Sequence, residues 1–229
     1  MFGEEAGRRR VTLTFDNGPT PGITDKVLDV LAAHRAPATF FVVGTQLQQP
    51  GGLDLARRAA AEGHRIGHHT ATHTLQLGAA EDPEGAVAAE IAAIEYDIDM
   101  LAGINEAESE RLFRPNAAGG VLDKHVFSPQ AVRYLQQHRY TCALWNCLPR
   151  DWENTETWVD HALADVARTN WSVVVLHDLD TGAMDRLPAF LGGLAAIDVE
   201  IVPDFPDSCL PIRHGQLQHS LSHLTNGDG

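Results

Sequence analysis

Positive charge is scarce in this chain: 17 Lys and Arg stand against 31 Asp and Glu, a formal net charge of -14. Nucleic-acid backbones and anionic membranes are held by basic surfaces, so neither is a partner that this composition supports. Long apolar runs are missing too. No stretch is long enough to span a bilayer, and Met1 to Arg10 is charged where a secretion signal would be apolar; no membrane insertion and a cytoplasmic location are the expectations. Cysteine is rare. Cys142, Cys147 and Cys209 are odd in number and lack zinc-site spacing, which reads most simply as free thiols in a reducing compartment.

What is present is regular alternation. Short β-rich runs occur at Val11–Phe15, Ala38–Val43, Arg65–His68, Arg111–Arg114, Cys142–Trp145, Ser172–Leu176 and Glu200–Val202. Helix-period runs lie between them at Thr24–His34, Leu53–Glu62, Gly85–Leu101, Pro129–His138, Thr155–Arg168 and Met184–Leu194. Thr24 is a candidate N-cap, and Ser128-Pro129 suits a cap followed by the first helical position. Seven β-rich runs alternating with six helical ones in 229 residues predict one α/β domain, a single distorted (β/α) barrel with about seven parallel strands, over residues 1–205. Residues 206–229 lack periodicity and end in Gly227-Asp228-Gly229, so they are expected to form a loosely ordered tail.

The chemically loaded residues gather where strands end, the functional face of such folds. Thr14-Phe15-Asp16-Asn17-Gly18-Pro19 follows the first β-run and breaks at Gly18-Pro19. Taken alone, Asp16 could be a catalytic carboxylate or an Asx-turn residue. His69-Thr70-Ala71-Thr72-His73 places two imidazoles on one side of a turn, within reach of one cation. Strand alternation points His68 away from His69. His177 closes the apolar run Val173-Val174-Val175-Leu176. Trp152, beside Asp151, could be a core residue or the wall of a pocket.

Taken together and in this order, these motifs resemble the polysaccharide deacetylase family, the NodB-homology domain, from about Val11 to Val202. The resemblance implies a metal-dependent hydrolase with Asp16 as catalytic base, Arg114 holding that base, and His177 as general acid. It further implies that Asp151 orients His177, and that Trp152 and Val175 line the acetyl pocket. Its metal ligands would be His69, His73 and residue 17, binding a divalent ion, zinc by the donor types. Four departures stand out: Asn17 replaces a ligand aspartate, His68 stands where Asn is common, Leu148 where an acid is common, and Val175 where Leu is common. After Arg114-Pro115 the likeness fades through Asn116-Ala117-Ala118-Gly119.

An asparagine ligand can coordinate through its carbonyl oxygen but brings no charge, so a site of Asn17, His69 and His73 should bind zinc more weakly. The leading expectation is removal of acetyl groups from N-acetylated amino sugars, a carbohydrate substrate cleaved at a carbon–nitrogen bond. Two alternatives follow from the same residues: a non-catalytic carbohydrate-binding or regulatory module, and a C–N amidase acting on a small amide, since a fold does not fix a chemistry.

Overall fold

The first strand of the chain lies inside its sheet, with a parallel neighbour on either side. In the computed structural model, which describes residues 8–103 and 110–226, β1 (Arg10–Asp16) lies parallel between β2 (Ala38–Val42) and β6 (Trp171–His177). The period-2 pattern of β1 decides what each face does. Val11, Leu13 and Phe15 pack outward on the helical layer, against Val27, Leu28 and Leu31 of α1 (Thr24–His34) and Phe190 and Leu194 of α8 (Leu187–Ala196). Thr14 and Asp16, on the opposite face, are buried and polar, and meet partners across the sheet's concave side.

β3 (Arg65–His68), β4 (Arg111–Phe113) and β5 (Tyr140–Cys142) continue the parallel order from β2, and β7 (Glu200–Ile201) runs beside the start of β1. Seven parallel strands thus match the expected alternation. The sheet curls but does not close by a full ladder. Among the described residues a single bridge joins its ends, with the Cys147 N–H donating to the Val173 carbonyl at 3.1 Å and the Val175 N–H to the Cys147 carbonyl at 3.0 Å. The connecting helices are α2 (Gly44–Leu47), α3 (Gly52–Ala61), α4 (Pro83–Glu90), α5 (Glu95–Ala102), α6 (Pro129–Gln137) and α7 (Trp158–Arg168). Ser128 caps α6, accepting the Ala131 N–H at 3.1 Å, with Pro129 in the first turn as expected.

Four expectations need correction. The tail is not loose: Cys209 and Leu210 join Phe205 on Phe41, Leu112, Ala143 and Val173 inside the curl. Beyond them β8 (Ile212–Arg213) and β9 (Gln216–Leu217) form an antiparallel hairpin on β5, and Leu221 and Leu224 are buried against Phe127 and Val126. Residues 227–229 lie outside the described residues. The expected strand Cys142–Trp145 ends early, at Cys142, because the Leu144 N–H turns to the Cys209 carbonyl of that same plug. The helix expected over Gly85–Leu101 breaks into α4 and α5, since the Glu90 and Ile91 carbonyls accept from Ala71 N–H and His68 Nε2 instead. Finally, Thr24 is not an N-cap; the cap position is Ile23, and the Thr24 hydroxyl accepts from Thr20 N–H and donates to Asp178.

Because Leu224 is 1 % exposed in this plugged end, Leu224→Ala is expected to lower unfolding free energy by about 2–5 kcal/mol. Urea denaturation of the two proteins measures it; a loss within error would mean that the segment contributes no core.

Candidate active site

Register alone assembles the centre. Asp16 and His177 are paired residues at the ends of β1 and β6, and His69 and Arg114 directly follow β3 and β4. With the loop after β5, which carries Asp151 and Trp152, these ends ring a cleft of about 240 Å³. Asp16, Asn17, His69, His73, Trp152, Val175 and His177 all line it, together with Trp145, Leu148 and Leu179.

Arg114 anchors the carboxylate. Its guanidinium is fully buried and donates to Asp16 Oδ1 at 2.8 Å and to Thr14 Oγ1 at 2.6 Å. Its other donors reach the carbonyls of Ala143, at 3.0 Å, and Leu144, at 3.5 Å. The guanidinium stacks 4.0 Å from the Phe41 ring centroid, a contact that fixes its plane. Burial alone would raise the Asp16 pKa, but the charge and hydrogen bond of Arg114 hold it below the ordinary carboxylate value. Oδ1 is thus committed to Arg114, and Oδ2 lies 3.6 Å from His69 Nε2.

The two histidines are presented by a tight loop. His69 Nδ1 donates to the Arg114 carbonyl at 2.9 Å, which fixes the tautomer and leaves Nε2 with a lone pair facing the cleft. Burial pushes its pKa down to about 3, so it is neutral, as a ligand must be. His73, at φ 56°, is held by its N–H to Thr70 Oγ1 at 3.0 Å, and its ring lies 4.6 Å from that of His69. His68 points the other way, as alternation demands. Its Nε2 donates to the Ile91 carbonyl and its Nδ1 accepts from Thr70 N–H, so neither nitrogen is free for an ion.

Asn17 takes a left-handed φ of 74°, a region that Asn tolerates better than most residues. Its Oδ1 is buried without a hydrogen-bond partner among the described residues, a costly state unless something else satisfies the oxygen. Among the described residues no group of three His, Cys, Asp or Glu side chains stands as a metal cluster. An orphaned amide oxygen beside two neutral imidazoles nevertheless makes a donor set suited to a divalent ion such as zinc. The next residue must be glycine, since a Cβ at position 18 would fall 2.0 Å from Asp178 Oδ2.

At the other wall, His177 Nδ1 and Asp151 Oδ1 are 2.8 Å apart, and the His177 backbone N–H donates to Asp151 Oδ2 at 2.9 Å. Burial would lower the His177 pKa; the hydrogen bond and charge of Asp151 outweigh it, and the pKa is raised above the ordinary value. Trp152 meets the same imidazole edge-on, centroids 4.7 Å apart. Asp178 is excluded as a rival to Asp16: it is fully buried, does not line the cleft, and takes the Thr24 hydroxyl while burial raises its pKa to about 6. Thr14, which orients Arg114, was not anticipated from the sequence, although it shares a strand face with Asp16.

The polysaccharide deacetylase family model matches residues 3–142, more than half of the chain. The chain belongs to that family. A chitooligosaccharide deacetylase from Bradyrhizobium is 36% identical over 77% of this chain and 74% of its own length. A peptidoglycan-N-acetylglucosamine deacetylase from Bacillus cereus is 31% identical over 77% of the chain and 74% of its own. Among solved structures, a polysaccharide deacetylase from Bacillus cereus superposes with TM-score 0.66 at 27% identity, covering 90% of this chain and 97% of that one.

Asp151→Asn should lower the His177 pKa, because a neutral acceptor no longer favours the imidazolium. The protonated fraction, full at low pH, would then be lost at lower pH than in the parent. Imidazole NMR titration reads this; an unmoved midpoint would remove Asp151 from that role.

Proposed function

We propose that this member of the family is a metal-dependent hydrolase that removes acetyl groups from N-acetylated amino sugars. The observation that carries the reading is convergence. A buried carboxylate on an arginine, an imidazole on a carboxylate, and a neutral His-His-Asn set face one cleft. Relatives named for chitooligosaccharide and for peptidoglycan N-acetylglucosamine deacetylation share one chemical demand, an acetamide on a sugar ring. That group is what such a cleft suits.

His69, His73 and Asn17 would hold a divalent ion, zinc by donor type, whose chemistry when bound is to polarise the acetamide carbonyl and acidify the attacking water. Asp16, kept anionic by Arg114, accepts a proton from that water as its oxygen bonds to the carbonyl carbon. His177, charged through Asp151, gives its proton to the sugar nitrogen as the carbon–nitrogen bond breaks, leaving acetate and a free amine. Trp152 and Val175 form an apolar wall that receives the methyl group and keeps bulk water from the reacting carbon.

Asn17 favours a second reading, a carbohydrate-binding module with a weakened metal site. The two part on Asp16→Asn. The hydrolase reading expects acetate release from chito-oligosaccharide to be abolished while zinc affinity is retained within a few-fold. A parent protein that releases no acetate with saturating zinc, yet binds the oligosaccharide, supports the module. Asn17→Asp is expected to tighten zinc binding, measured by calorimetry, because an anionic ligand replaces a neutral one. Unchanged affinity would place residue 17 outside the ligand set.

A further inference from the structure

The chain spends a buried carboxylate in a place where the proposed chemistry does not use it. Glu90 is the last residue of α4 and only 5 % exposed. A helix C-terminus disfavours an anion, and burial disfavours it again. What Glu90 meets there is the loop between the two histidines. Its Oε2 accepts the Thr72 N–H at 2.9 Å and its Oε1 accepts the Thr72 hydroxyl at 2.6 Å. The backbone of the same helix end serves the same loop: the Glu90 carbonyl accepts Ala71 N–H at 2.9 Å.

From the opposite side, Asn116 donates its Nδ2 to the His73 carbonyl at 3.0 Å and is 7 % exposed. This residue lies in the segment where the family likeness fades, so the contact belongs to this chain's own loop. A third contact closes the loop's inner edge, with the Gly44 N–H on the Thr70 carbonyl and the Thr45 N–H on the Ala71 carbonyl, at 3.1 and 2.8 Å. The loop needs such restraint. Both Thr70 and His73 sit at positive φ, 66° and 56°, conformations that persist only where surroundings impose them.

We propose that Glu90 and Asn116 are positioning residues that hold the 69–73 loop so that its two imidazoles can share one cation. The proposal rests on the metal reading given above. It carries particular weight in this chain because Asn17 brings no charge: a neutral donor set gains less from Coulomb attraction and depends more on ligands already in place.

The test compares Glu90→Ala, Glu90→Gln and Asn116→Ala with the parent in two measurements. Glutamine keeps an oxygen for the Thr72 N–H, and its amide can donate to the Thr72 hydroxyl, which then turns to its neighbour Thr74 Oγ1, 2.7 Å away. Zinc affinity should fall about 10–100-fold in both alanine variants and stay within a few-fold of the parent in Glu90→Gln. In metal-free protein, amide exchange at Thr72 and His73 should accelerate in Glu90→Ala but not in Glu90→Gln, with Ile66 and Gly67 of β3 unchanged. Zinc affinity unaltered in the alanine variants, Glu90→Gln as damaging as Glu90→Ala, or exchange rising equally in β3 and the loop would each overturn the proposal. A parent protein that binds no zinc would overturn the metal reading instead, and the exchange data would then decide the clamp by themselves.

Discussion

A fully buried guanidinium is the constraint around which this site is organised. Arg114 reaches Asp16, Thr14 and two carbonyls with no solvent to share the charge. Removing one partner of such a pair typically costs about 3–5 kcal/mol, because the other is stranded in a low-dielectric interior. The pair therefore fixes more than a carboxylate orientation. It ties the end of β1 to the end of β4, and the Arg114 carbonyl, through His69 Nδ1, sets the tautomer of the imidazole on β3.

From that pair outward the site divides into two halves with different electrostatic tasks. On one side burial keeps His69 neutral, and with His73 and the orphaned Asn17 oxygen it forms a donor set without negative charge. On the other side Asp151 keeps His177 proton-rich. Asp16 lies between them with its pKa held down, so a carboxylate kept anionic and an imidazole of raised pKa face one cleft. Asn17 is where this balance is unusual. A carboxylate there would offset part of a bound divalent ion's charge, whereas an amide would not.

Much of this was legible in the sequence because its signals are local. Most of the period-2 runs, the break at Gly18-Pro19, the Ser128-Pro129 cap and the His69–His73 spacing each act within a few residues, and the structure places them as read. His68 was correctly turned away by alternation alone. What escaped depends on partners distant in sequence. The helix broke at Ile91 because its carbonyl serves His68, twenty-three residues earlier. The segment after 205 gave no periodic pattern, since Cys209, Leu210, Leu221 and Leu224 enter two cores singly from irregular backbone. Thr14, Glu90 and Asn116 carry ordinary local signals, and only the fold brings them to Arg114, Thr72 and His73.

The central claim is that an uncharged Asn-His-His set in this cleft holds a divalent ion beside Asp16. Crystals grown with zinc, with diffraction recorded on both sides of the zinc absorption edge, test it most directly. The account predicts one anomalous peak within about 2.0–2.1 Å of a ring nitrogen of His69 and of His73, with Asn17 Oδ1 as the third protein ligand. A cleft without anomalous density at saturating zinc, or an ion bound by the histidines with the Asn17 amide turned away, would contradict it.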